Sequence, residues 1–192
     1  SPDRCHFHLG TCREPDWGTS HCMQPTYVYL ANNTGVKIGI MRESQRPVRW
    51  MDQGAVSALV ILKTQTRQHA GLIEHLFRRT ISDKSDWRAL IRNESSDVDL
   101  HQVAQELLRT HHQTVQKMDQ HLRLKTEYIN EEVSRFTYPV HEPPGKIKSL
   151  SLDRIQQLSE PLLGMRGQYL FFPSGALNIR KHTGYRVKIE SE

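Results

Sequence analysis

Three thiols lie within the first 22 residues. Cys5, Cys12 and Cys22 stand at C-x6-C-x9-C spacing, with His6, His8 and His21 between or beside them. Zinc favours four thiolate or imidazole ligands in a tetrahedron. The gain on binding would order a stretch that has little core of its own. A structural Zn2+ held by Cys5, Cys12 and Cys22 is therefore expected, with His21 a candidate fourth ligand and that position left open. The plain alternative is three thiols without a metal. A second chemistry is suggested by the stretch TYVYLANNTGVKIGI, residues 26–40, which reads as two strands and a turn. Strand side chains alternate. Tyr27 and Tyr29 then share one face with Lys37 and Gly39, while Val28, Leu30, Val36, Ile38 and Ile40 share the other. With the apolar set in the core, an exposed tyrosine, lysine and glycine surface is expected, with room beside the tyrosines at Gly39 for a partner to approach. A third group is Arg180, Lys181 and Arg186 with His182 and Tyr185. Cations beside an aromatic pair phosphates and stack a base, at ~1–3 kcal/mol per base; an ordinary charged turn explains the same residues.

The elements that must carry these groups follow from the apolar pattern. Asn32, Asn33 and Gly35 supply the hairpin turn. RPVRWMDQG fits a short helix, with Pro47 in its first turn and Gly54 at its end. AVSALVILK is a β-branched apolar run, a buried strand. TRQHAGLIEHLFRRTI places Ala70, Ile73, Leu76, Phe77 and Ile81 on one side of a helix, and Glu74 borders that side, where a carboxylate needs a partner or a metal. The order is β-β-α-β-α. SDKSDWRALI reads as a helical turn that closes the unit. Residues 98–124 carry Leu100, Val103, Leu107, Leu108, Val115, Met118 and Leu122 at the spacing of a long amphipathic helix. Its four histidines fit a polar helix face better than a metal site. YPVHEPPGK reads as a linker, and the remainder as strand-like pieces between glycine turns. The fold class expected is α+β, divided as a cysteine-rich segment (1–25), a core (26–97), a long helix and linker (98–142) and a small C-terminal β module (143–192).

The net charge is +5 and uneven. Residues 36–92 hold eleven Lys or Arg against five Asp or Glu, residues 93–142 five against nine, and residues 143–192 eight against four. Two basic segments flanking an acidic one point to a polyanion partner, or to solvated surface charge. No run of 18 apolar residues occurs, so no membrane-spanning helix is expected. An odd cysteine count and no secretory signal suggest a reducing cytoplasm. The Ser-Pro-Asp start suggests a fragment of a longer protein.

YVY at 27–29, KIG at 37–39, VRW at 48–50 and GLIEHLF around Glu74 together resemble the GIY-YIG endonuclease superfamily. The resemblance implies a β-β-α-β-α nuclease core. It matches Tyr29 to the tyrosine that takes a proton from the attacking water, Arg49 to the arginine that stabilises the scissile phosphate, and Glu74 to the glutamate that holds a divalent metal, here Mg2+. Tyr27 and Lys37 fall in the same strands, with Lys37 in place of the second tyrosine; Arg46 is a second register for the arginine. Longer strings, GTCREPDWG, VKIGI, RWMDQGA, DWRAL and GQYLFFPSGALNIRKHTGY, resemble a bacterial family of unknown function. That likeness implies a zinc segment ahead of a GIY-YIG-like core and no established activity. The expected function is nucleic-acid binding, DNA or RNA, with a GIY-YIG-like, metal-dependent phosphodiesterase site; Arg42, Arg46, Arg180, Lys181 and Arg186 are candidate nucleic-acid contacts. The rival is a zinc-stapled interaction scaffold whose site is degenerate.

Overall fold

The computed structural model describes residues 1–81 and 86–190. Residues 82–85, the start of the SDKSDWRALI turn, lie outside that range. The chain opens with two 3₁₀ turns and a helix, α1 (Pro15–His21), where no apolar period predicts one. The hairpin follows as β1 (Thr26–Asn32) and β2 (Val36–Met41), then α2 (Val48–Asp52), β3 (Ser57–Thr64) and α3 (Arg67–Phe77). This is the expected β-β-α-β-α order. Gly54, at φ +69, ends α2 in the left-handed conformation that a Cβ disfavours. The Thr66 side chain caps α3 by accepting from the His69 amide at 3.2 Å.

Next come α4 (Trp87–Ile91) and the long helix α5 (Leu100–Leu122). Asp99 caps α5 by accepting from the amides of His101 and Gln102. The stretch between α5 and the YPVHEPPGK linker adds two short strands that the sequence reading does not expect, β4 (Glu127–Tyr128) and β5 (Ser134–Arg135), both antiparallel to β3. The first sheet is thus ordered β2-β1-β3-β4, with β5 also on β3.

Both faces of this sheet are covered. Val28, Leu30, Ile38, Leu59 and Ile61 pack under α3 and α5 with Ile73, Phe77, Leu107 and Val115. Between β1 and β3 the register slips by one residue: Val28 faces Leu62 while Tyr29 faces Val60. That bulge leaves Ile61 without a partner on β1 and lets Ile61 and Leu62 both enter this core. The opposite face is a second core of Tyr29, Ala31, Met41, Trp50, Ala58 and Val60, roofed by Ile129 and Phe136. The exposed tyrosine surface expected from alternation is therefore corrected. Apolar residues from α2 and the 129–136 segment close over it.

The C-terminal part forms a second sheet from β6 (Ser149–Leu150), β7 (Gly164–Arg166), β8 (Tyr169–Phe172) and β9 (Gly175–Asn178), ordered β6-β9-β8-β7. Phe171 and Ala176 pack against Ile91 of α4. A buried guanidinium joins the two parts. Arg166 donates to the carbonyls of Gly54 (3.1 Å), Asn33 (2.9 Å) and Glu94 (3.2 Å) and to Asn93 Oδ1 (3.1 Å). Tyr138 flanks it at 5.8 Å and donates to the Ala55 carbonyl at 2.8 Å. Burial lowers the Arg166 pKa, yet these acceptors replace the water it loses. The YRVKIE stretch forms no strand, and ALNIRK turns into a 3₁₀ helix (Ile179–His182) after Asn178. No helix among the described residues is long and apolar enough to cross a membrane.

Candidate functional site: an arginine-lined cleft

The N-terminal segment is moored to α3. Arg67 N donates to the Cys22 carbonyl at 2.8 Å, and Gln68 Nε2 to the Cys5 carbonyl at 2.6 Å. Gly71 lets the first turn lie directly on the helix; a Cβ there would stand 2.5 Å from Pro2 Cβ. Packing against a neighbouring element thus orders residues 1–25.

This docking creates a cleft of about 410 Å³. Trp17 and His21 of α1 form part of one wall, and Thr26, Ile40 and Met41 supply strand ends. Arg42 and Gln45 enter from the turn after β2, Arg49 from α2, and Arg67 and Glu74 from α3. Arg67 and Glu74 are seven residues apart, two turns of one helix face. Among the described lining residues, three arginines face one glutamate. A cleft so lined attracts phosphate, and arginine forms paired hydrogen bonds to its oxygens.

Tyr29 lies beneath this cleft. Its residue is 1% exposed, and its ring stands edge-on to Trp50 at 5.9 Å. The ring lies across Gly39, where a Cβ would meet Tyr29 Cζ and Oη at 2.6 Å. The hydroxyl donates to Gln53 Oε1 at 3.4 Å. Burial pushes the Tyr29 pKa up; the neighbouring Arg49 guanidinium opposes that rise, and the Glu74 carboxylate adds to it. The guanidinium is therefore a neighbour of the phenol, and the Glu74 carboxylate lies within its electrostatic reach. Arg49 and Glu74 reach the open cleft, while Tyr29 stands behind them in the core. Arg49 Nε is buried without a hydrogen-bond partner. Glu74 is 13% exposed at its side chain and pairs with Arg78 at 3.0 Å.

Other expected residues lie elsewhere. Arg46 turns to Glu131, which it grips with both guanidinium arms, and sits 5.0 Å over Trp50. Tyr27 is half-buried, and burial followed by the Glu43 carboxylate raises its pKa. Lys37 is at the far end of β2, opposite Ala31, outside the cleft lining. Arg180, Lys181 and Arg186 are exposed beyond β9 and do not line the cleft. Tyr185, beside them, is half exposed, and its hydroxyl donates to Asp153.

Cys5, Cys12 and Cys22 are half-buried free thiols. Among the described residues, no three His, Cys, Asp or Glu side chains gather as a metal-ligand set. His21 bonds through its Nδ1 with Ser20 Oγ at 2.7 Å and the Trp17 carbonyl at 3.1 Å. The zinc expectation thus finds no matching arrangement of ligands. For magnesium, Glu74 offers one carboxylate, and this ion is commonly held by one or two carboxylates with substrate phosphates.

Sequence reasoning missed Trp17, Gln45 and Arg67 in the cleft. Only Arg67 carries a local signal, its seven-residue spacing from Glu74. The chain belongs to the family described as "Protein of unknown function (DUF2797)", whose family model matches residues 1–187. No curated protein and no solved structure gives a significant match.

Proposed function

We propose that this protein binds nucleic acid, seating backbone phosphates in the cleft between α1, α2 and α3. The observation that carries the proposal is the convergence of Arg42, Arg49 and Arg67 from three separate elements on one open cleft. Affinity for an oligonucleotide across a salt series tests this. Three arginine–phosphate contacts on a single strand give a slope of log K on log salt near −2, at about −0.7 per contact. Arg67→Ala should weaken binding and reduce the slope's magnitude by about 0.7. An unchanged slope in that variant, with the fold intact, removes the cleft from the binding surface.

A second reading is a GIY-YIG-like phosphodiester centre, favoured by the grouping of Tyr29, Arg49 and Glu74 about one cleft. In it, Arg49 holds the phosphate and stabilises the charge that grows on it as water attacks phosphorus. Glu74 would hold Mg2+ together with the substrate, and that ion supplies further charge neutralisation. Tyr29 departs from the role the resemblance implies. A buried phenol with a raised pKa keeps its proton at neutral pH and acts by positioning Arg49. Labelled DNA and RNA, incubated with and without Mg2+, separate the readings. Cutting that is lost in Arg49→Ala and Glu74→Gln supports the centre. Binding without cutting leaves the binding surface alone, and neither outcome leaves an interaction scaffold.

A further inference from the structure

Trp17 is 54% exposed, although it borders a cleft lined by cations. Its indole lies parallel to the His21 ring, centroids 4.3 Å apart and planes 6° apart. The two residues are one helical turn apart on α1, which brings their rings together. His21 is itself held by bonds from its Nδ1 to Ser20 Oγ and the Trp17 carbonyl. One indole face is therefore fixed against His21, and the open surface is the other face. A flat ring held in place and bare on one side, next to phosphate-binding arginines, suits one chemistry. It can stack an unpaired nucleobase while the cations hold that strand's phosphates. A base inside a duplex is already stacked and paired, so its face is closed to the indole.

We infer that α1 supplies a stacking platform, Trp17 backed by His21, which makes the cleft a site for single-stranded nucleic acid. This rests on the phosphate-binding reading above and adds the class of strand to it. Three labelled ligands of equal phosphate count test it by fluorescence anisotropy on the whole chain: an oligothymidylate, the same strand with abasic sites, and a blunt duplex. The parent protein should prefer the oligothymidylate to both others. Trp17→Ala should weaken oligothymidylate binding about 5- to 150-fold, the effect of losing one stacked base, and leave the abasic strand and the duplex unchanged. Trp17→Phe should retain most of the preference. Arg67→Ala should weaken all three ligands, because every one presents phosphates.

If Trp17→Ala changes nothing, or lowers all three affinities alike, the platform is overturned while the arginine cleft stands. If the parent binds no ligand, the underlying reading fails with it. Trp17 is exposed, so its loss should leave the circular dichroism spectrum intact; a changed spectrum would place its role in folding and overturn the platform.

Discussion

Gly39→Ala isolates the contact that places Tyr29 under the cleft. The new methyl would lie 2.6 Å from Tyr29 Cζ and Oη and 3.1 Å from Cε1. Those atoms belong to the phenol of a residue 1% exposed, wedged against Trp50. The ring can yield only by displacing its neighbours in the second core, and such overpacking costs about 1–3 kcal/mol. With a urea slope of about 2 kcal/mol per molar, the unfolding midpoint should fall by roughly 0.5–1.5 M. The sharper test is a double-mutant cycle. In a Tyr29→Ala background the obstruction is gone, and alanine is better than glycine in a strand by about 0.5–1 kcal/mol. Gly39→Ala should there be neutral or stabilising, so the two substitutions couple with opposite effects. Equal destabilisation in both backgrounds would refute the packing of Tyr29 over Gly39. It would also remove the reason for a phenol behind Arg49.

Two further outcomes follow from buried groups. Arg166→Met keeps much of the volume but leaves the Asn33, Gly54 and Glu94 carbonyls and Asn93 Oδ1 without this donor. A loss of about 3–5 kcal/mol in urea unfolding is expected, with faster amide exchange in β7; a loss under about 1 kcal/mol would show that the guanidinium does not join the two sheets. His69 is fully buried, with Nε2 2.9 Å from Asp119 Oδ1. Burial depresses its pKa below the ordinary 6.5, outweighing the pull of Asp119. The unfolded chain thus binds the proton more readily, so this contribution is present above pH 6.5 and is lost as pH falls through the folded-state value. Urea midpoints should drop over that window, and His69→Gln should flatten the drop; an unflattened profile would assign it to other groups.

What could be read in advance divides by the range of the forces involved. The order of β1, β2, α2, β3 and α3 follows from local periodicity and turn residues, and so does α5, whose apolar positions recur over six turns. The double burial of the first sheet also left a trace. Val28 to Ala31 and Ala58 to Leu62 are nearly unbroken apolar runs, the pattern of strands covered on both faces. Alternation at Tyr27 and Tyr29 masked it, because tyrosine belongs equally to a surface and to a core. What covers that second face is not local at all: Ile129 and Phe136 come from the stretch after α5, in which the sequence reading expects no element.

The same reasoning separates the parts of the cleft. Arg67 and Glu74 share a helix face by spacing alone, whereas Trp17 joins them through Gly71, whose missing side chain lets Pro2 rest on α3. A contact between positions nearly seventy residues apart leaves no period to detect. Replacing Gly71 with Ala would put a methyl 2.5 Å from Pro2 Cβ and 2.8 Å from Asp3 N. The first turn would have to lift, loosening the wall that carries Trp17 and His21 while leaving Arg49 on α2. The wall and the arginines are thus separable physical units, and the cleft exists only where the N-terminal segment is docked.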